Sequence, residues 1–323
     1  MKWVILMDAA KLKKNELRKK VCCRSMDENL LRWHAVLAAF ILILSPILMG
    51  CSEISPDIEN VVRTRDNHYT CRYDGVDHDF ILDLPETAEG SPLILMLHGY
   101  GQTAESFRLQ TGFEKDANQL GYAVAYVTGA PNPNDRTAAT GWNSGIADSP
   151  NRDVEFLSAL AIWLQCEYRL DSERVFAVGF SNGAFMSHRL ALEANDTFSA
   201  VVSVAGMMPE SVWSSRPSSC QVSLLQITGE KDDVIPKNSD GSARYSKAPA
   251  IEDVVAYYAE ANGLCLVETN SVGKASFMTV YRDDHSDRQV WHLIVKGGHH
   301  SWSAENITGI NTNQLILQFL ERQ

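Results

Sequence analysis

RVFAVGFSNGAFMSHRLALEA, residues Arg174–Ala194, carries the pentapeptide Gly179-Phe180-Ser181-Asn182-Gly183. Arg174–Val178 reads as a short buried strand and Gly183–Ala194 as a helix. A strand turning abruptly into a helix through G-x-S-x-G holds the serine on a strained elbow with its hydroxyl exposed above the sheet. The glycines are needed because neighbouring backbone comes too close for side chains. The pattern makes Ser181 the candidate nucleophile, the competing reading being a plain Gly-rich turn.

A serine hydroxyl alone is a poor nucleophile, so a base and an orienting acid must follow. In hydrolases with this elbow, the chain order is Ser, then Asp or Glu, then His. Val222–Thr228 (VSLLQIT) is an apolar strand that runs into Gly229-Glu230-Lys231-Asp232-Asp233. Asp232 is the candidate acid and Asp233 the alternative; a solvated turn is the ordinary reading of such a run. Val290–Val295 (VWHLIV) is the next strong strand, followed by Lys296-Gly297-Gly298-His299-His300-Ser301-Trp302. A histidine on that Gly-rich loop can reach back over the sheet to Ser181, whereas His292 sits within the strand as a packing residue. Adjacent histidines on one loop rarely share a metal, and no Cys or carboxylate stands at ligand spacing, so no metal is expected.

Upstream, Pro92–Leu97 is a buried strand followed by His98-Gly99-Tyr100-Gly101-Gln102. Acyl transfer needs two backbone N–H groups aimed at the developing oxyanion. The expected donors are Asn182, the residue after the nucleophile, and Tyr100 on this early loop. The His98 side chain reads as a structural brace.

The segments LILMLHGYGQTAESF, NRDVEFLSAL, RVFAVGFSNGAFMSHRLA, LLQITGEKDDVIP and GGHHSW occur in that order. Together they resemble the secreted esterases of the poly(3-hydroxybutyrate) depolymerase and feruloyl esterase type, from about Tyr69 to the C-terminus. The resemblance implies an α/β-hydrolase fold, with the nucleophile on Ser181 and the acid on Asp232. In that family the catalytic His lies two residues before a Trp, which selects His300 over His299. Tyr100 stands where many members have Cys, His299 replaces a Gly, and Ser303 follows Trp302 where Pro is common.

The expected fold class is therefore α/β, a mostly parallel sheet with helices on both faces in a single domain. Strands are expected at Phe80–Leu84, Pro92–Leu97, Ala123–Val127, Arg174–Val178, Ala200–Ala205 and Val222–Thr228. Helices are expected at Phe107–Leu120, Asp153–Glu167 and Ile251–Ala261, with a late strand pair at Phe277–Arg282 and Val290–Val295. That alternation of strand and helix is what a parallel, doubly covered sheet requires. At 45% apolar residues the chain can bury a sizeable core.

Residues 1–50 read as a leader, 51–62 as a tether and 63–323 as the catalytic domain. Ala35–Leu44 is an apolar run after Arg32, and Leu48-Met49-Gly50-Cys51 closes it. A basic start, a short apolar region and a small residue before the cut form an export signal. The Cys after Gly50 resembles the bacterial lipoprotein signal and makes Cys51 the expected lipidation site; an uncleaved membrane anchor is the alternative. Met26 starts a leader of ordinary length and is the expected true start. The first fifty residues hold nine of the 29 Lys/Arg and four of the 40 Asp/Glu, so the remainder is 20 basic and 36 acidic, net −16. That balance excludes nucleic-acid partners and a basic membrane-binding patch. Beyond Cys51 stand Cys71, Cys166, Cys220 and Cys265. An even set in an exported protein suggests two disulfides with three possible connectivities. The family resemblance favours Cys220–Cys265, with Cys71 and Cys166 as the remaining pair; buried thiols are the alternative for that second pair.

The expected chemistry is two-step acyl transfer on an ester, without a cofactor. Trp142, Phe180 and Trp302, with Tyr100, are candidates for an apolar substrate wall. Hydroxyalkanoate oligoesters and aryl, feruloyl-type esters both fit; with no appended polymer-binding segment recognised, soluble esters are expected over crystalline polymer. The competing functions are an inactive hydrolase fold serving as a surface binding lipoprotein, and an exported serine peptidase.

Overall fold

The strand that feeds the elbow, Val175–Phe180, is buried at every position. So are four of its companions: Leu93–Leu97, Ala123–Val127, Ala200–Val204 and Ser223–Gly229. Continuous burial means apolar cover on both faces, as parallel sheets require. In chain order the strands are β1 Ile58–Arg65, β2 His68–Tyr73, β3 Val76–Asp83, β4 Leu93–Leu97, β5 Ala123–Val127, β6 Val175–Phe180, β7 Ala200–Val204, β8 Ser223–Gly229, β9 Leu266–Val272, β10 Ser276–Asp283 and β11 Ser286–Val295. The helices are α1 Ala104–Thr111, α2 Phe113–Gln119, α3 Asp153–Tyr168, α4 Asn182–Glu193, α5 Glu210–Ser214, α6 Ile251–Ala261, α7 Glu305–Thr308 and α8 Thr312–Leu320. This computed structural model describes residues 58–237, 247–302 and 305–323, all within one compact unit.

The sheet runs β1-β2-β3-β5-β4-β6-β7-β8-β11-β10-β9. Its centre, β5-β4-β6-β7-β8-β11, is parallel throughout. Antiparallel strands flank it at both ends, β1 to β3 on one side and β10 with β9 on the other. Side chains alternate between the two faces of a strand. In β4, Leu93, Leu95 and Leu97 therefore join one core, with Phe156 and Leu157 of α3, Phe185 of α4 and Tyr258 of α6. Ile94 and Met96 join the other, with Phe107 of α1, Phe113 of α2 and Phe319 of α8. The fold is an α/β-hydrolase sheet covered on both faces.

Several local expectations are corrected. The tether assigned to 51–62 ends earlier, because Ile58–Val62 already belongs to β1, paired antiparallel with β2. The single helix expected over Phe107–Leu120 is two helices, broken where Gly112 takes φ 53°. Neither expected disulfide is formed, since Cys71, Cys220 and Cys265 are free thiols. Backbone at Cys220 does approach the end of α6, its N–H donating to Ala261 O. The two thiols nevertheless diverge: Cys220 Sγ lies 4.0 Å from Ala191 O in the core, and exposed Cys265 turns its Sγ toward Gly263 O. Burial pushes the Cys71 thiol up to about 12. The leader, Met26 and Cys51 lie outside the described residues. No helix among the described residues is long and apolar enough to cross a membrane.

Candidate active site

Ser181 lies between β6 and α4 with φ 53° and ψ −114°. A non-glycine residue in that region costs about 1–3 kcal/mol and persists only where the surroundings over-determine it. Here they do. A Cβ at Gly179 would stand 2.1 Å from Gly183 O, and one at Gly183 would stand 2.1 Å from Leu97 O and 2.7 Å from His98 O. Both glycines are thus required by close approach, and α4 rests directly on the end of β4. Ser181 N–H donates to Val204 O at 3.0 Å, which pins the turn to β7.

His300 Nε2 lies 3.0 Å from Ser181 Oγ, and its Nδ1 lies 2.9 Å from Asp232 Oδ2. The Asp232 side chain is 1% exposed. Its second oxygen accepts from Val234 N–H at 3.0 Å and Ile235 N–H at 2.8 Å, leaving Oδ2 for the imidazole. Asp232 and His300 come from the turns after the neighbouring parallel strands β8 and β11, and these turns are joined. Glu230 N–H donates to Val295 O and Lys231 N–H to Gly298 O. The Glu230 carboxylate accepts from Lys296 Nζ at 2.5 Å and Gly297 N–H at 3.0 Å. His299 is exposed, and its backbone crosses so close over Gly229 that a Cβ there would lie 2.6 Å from its carbonyl oxygen. The histidine facing Ser181 is therefore His300, the carboxylate facing His300 is Asp232, and Asp233 takes no part in this chain of hydrogen bonds.

Asn182 is the first residue of α4, so its N–H has no acceptor one turn back. The Tyr100 loop is braced around its own amide. Gly99 N–H donates to Gln102 Oε1, Gly101 N–H to Thr140 O at 2.7 Å and Gln102 N–H to Gly99 O. His98 is wholly buried: Gly129 N–H donates to its Nε2 at 2.9 Å, which leaves the proton on Nδ1 to donate to Gly99 O at 2.7 Å. Burial lowers its pKa to about 4, so it is a neutral brace, as expected.

The four aromatics separate. Tyr100 and Trp142 line a cleft of about 310 Å³ together with Asn182 and residues between Ala130 and Asn151. Phe180 and Trp302 do not line this cleft. Phe180 is 8% exposed and packs 5.2 Å from the His300 ring and 6.4 Å from Trp302. Trp302 meets Phe107 edge-on at 5.5 Å and donates from Nε1 to Asn313 Oδ1. They form a wall behind the imidazole.

Sequence reasoning missed the loop of residues 128–152, which builds the cleft. Trp142 Nε1 donates to His98 O at 2.9 Å and Trp142 N–H to Asn182 Oδ1 at 2.7 Å. Asn182 Nδ2 donates to Ser144 Oγ at 2.9 Å. Asn143 N–H donates to Asp153 Oδ2 at 2.6 Å, and burial pushes the Asp153 carboxyl up to about 6. The loop thus ties the Tyr100 turn to the elbow helix. A signal was present: long loops without regular structure inside a compact domain are usually functional.

A family model described as "Serine hydrolase (FSH1)" matches residues 89–250, half of the chain, from ahead of β4 through the elbow to the Asp232 turn. The chain is 36% identical over 157 residues to the protein named "Putative esterase NocK" of Nocardia uniformis subsp. tsuyamanensis, a match covering 47% of this chain and 43% of that one. It is 25% identical over 165 residues to the bifunctional acetylxylan esterase/xylanase XynS20E of Neocallimastix patriciarum, covering 51% of this chain and 23% of the relative. The matches span less than half the length of these relatives. Among solved structures, the acetyl xylan esterase from Aspergillus awamori superposes with a TM-score of 0.56 at 13% identity, over 76% of this chain and 94% of that one. That likeness shows the shared fold. With the family model spanning oxyanion-side loop, elbow and acid turn, this chain belongs to the serine hydrolase (FSH1) family.

Proposed function

We propose that the protein is a carboxylic ester hydrolase working by Ser–His–Asp acyl transfer. The observation that carries the reading is the continuous chain Ser181 Oγ, His300 Nε2, His300 Nδ1, Asp232 Oδ2, built on a strained serine. His300 accepts the Ser181 proton as the oxygen attacks the ester carbonyl. Asp232 holds the imidazole in its tautomer and stabilises the imidazolium. The Tyr100 and Asn182 amides serve the tetrahedral oxyanion. Water then releases the acid by the same proton path in reverse.

The substrates are esters of the polyhydroxybutyrate-oligomer or aryl, feruloyl type, the class implied by the ordered motifs. Relatives named as esterases support the reaction type. A fluorophosphonate probe is expected to label the parent protein and not Ser181→Ala, and the parent should turn over short p-nitrophenyl esters, hydroxybutyrate oligomers or methyl ferulate. An unlabelled parent, inert to all three, would sink the proposal.

Export and lipidation at Cys51 complete the reading. The parent should take up labelled palmitate in a bacterial host and Cys51→Ser should not. A parent that carries no lipid refutes this part alone.

A further inference from the structure

We infer that the cleft built by residues 128–152 is the acyl pocket, shaped for a neutral, apolar acyl group larger than acetyl. This rests on the esterase reading above. The argument begins with proton balance. As the Ser181 Oγ–carbonyl carbon bond forms, the hydroxyl proton passes to His300 Nε2 and the carbonyl π pair moves onto oxygen. On collapse the carbon–alkoxide bond breaks, and the departing oxygen takes that proton from His300 Nε2. The alcohol half must therefore lie on the imidazole side. The acyl half stays on Ser181 and extends away from His300.

The cleft lies on the side of the proposed oxyanion donors. Its lining includes Tyr100 and Asn182, whose amides are assigned above to the oxyanion, and includes neither His300 nor Ser181; it reaches the nucleophile through Asn182, the next residue in the chain. The side-chain amide donors around it are already engaged. Asn143 Nδ2 donates to Ser149 O and Asn151 O, Asn151 Nδ2 to Ala130 O, and Asn132 Nδ2 to Asp148 O. Ser144 Oγ accepts from Asn182 Nδ2. Asp135, the charged residue in the lining, accepts from the Tyr100 hydroxyl and from Thr137. Its carboxylate also repels an anionic acyl group.

The apolar surface offered to a substrate is the Trp142 and Tyr100 rings, Ile146, Ala130 and Ala139. At about 310 Å³ the space is at the small end of ligand pockets, yet far more than an acetyl methyl would fill. Burying one methylene favours binding by about 0.8 kcal/mol, or about fourfold in kcat/KM for each carbon the pocket accepts in the transition state.

The test holds the leaving group constant. p-Nitrophenyl acetate, butanoate, hexanoate and cinnamate are compared in the parent, Ile146→Trp and Ala139→Leu, alongside butanoate esters of increasing alcohol length. The parent should favour hexanoate or cinnamate over acetate by at least about tenfold in kcat/KM, consistent with the per-methylene factor. Both cleft-filling variants should lower that acyl ratio severalfold, and the alcohol-length ratio should stay as in the parent. Probe labelling shows that each variant keeps an assembled nucleophile, and Ala139, being partly exposed, tolerates the larger side chain. A parent that prefers acetate overturns the pocket assignment. So does a change that falls on the alcohol series instead. Absence of both hydrolysis and labelling in the parent overturns the esterase reading itself and this proposal with it.

Discussion

Ser181→Ala is expected to lower ester turnover by on the order of 10³- to 10⁶-fold, the range seen when a nucleophile or its base is removed from such a unit. The fold should survive. Ser181 caps α4 without a side-chain hydrogen bond, and alanine retains the Cβ that the φ 53° backbone already accommodates. His300→Ala should cost about as much, on the order of 10³-fold or more, and the double variant little beyond either single one, because the two act as one unit. His299→Ala should stay within about threefold of the parent, since its exposed side chain lies outside the hydrogen-bonded chain. Steady-state kinetics on a p-nitrophenyl ester, with circular dichroism to check folding, compares the four variants with the parent. Equal losses at His299 and His300 would contradict the geometry.

The second large effect is loss of stability in mild acid. His78, His98 and His188 are buried, and burial lowers each to about 4 from an ordinary value of 6.5. A histidine depressed in the folded state contributes stability that is fully present above its unfolded pKa. That contribution is lost as pH falls toward the folded value, because the unfolded chain binds the proton first. The window is therefore pH 6.5 down to about 4. Each histidine contributes about 3 kcal/mol across it, at about 1.4 kcal/mol per pKa unit. Asp153 works in the opposite sense. Its carboxyl, raised to about 6, costs stability as pH rises through that value and relieves a comparable amount on acidification. His292, also lowered by burial, acts in the same direction as these three, so the histidines outweigh Asp153 and the net change is a loss of several kcal/mol, on the order of the whole stability of many domains. Urea midpoints should be flat above pH 7 and fall steeply between pH 6.5 and 4. His188→Gln should make the slope shallower, since His188 faces Gln226 at 3.2 Å and Tyr258 at 3.4 Å in the core. A stability profile level from pH 7 to pH 4 would refute the assignment.

The central sheet and the Ser181, His300 and Asp232 positions were legible because their signals are local. Fully apolar runs mark the parallel strands, and each functional loop begins where such a run ends. The edges were not legible for the complementary reason. β9, Leu266–Val272, is exposed at six of its seven positions and shows no apolar face to mark a strand. β1 is similarly polar and partly exposed. Its pairing with β2 is long-range information that no window of sequence holds. The register of Phe180 was also available: Phe176, Val178 and Phe180 share the face that carries α1 and α8, so the ring packs on that side. Asp233 and His299, one residue from the functional positions, differ from Asp232 and His300 in orientation alone. For His300 it took the neighbouring Trp302, through the family resemblance, to separate them.

The loop of residues 128–152 is tied to the Tyr100 turn and the elbow helix at many points, among them Gly129 N–H to His98 Nε2, Asn182 Nδ2 to Ser144 Oγ and the Tyr100 hydroxyl to Asp135. Trp142 docks by its indole on His98 O and by its amide on Asn182 Oδ1, Thr140 O receives Gly101 N–H, and Asp153 receives Asn143 N–H. Ser181, Asp232 and His300 all lie on other turns. On the proposed reading, selectivity and chemistry would sit on different segments joined by shared hydrogen bonds. A transplanted loop would have to retain Gly129, Asp135, Thr140, Trp142, Asn143 and Ser144 to keep Tyr100 and Asn182 in place, so diversification of this scaffold would fall on the residues between those anchors rather than on the nucleophile.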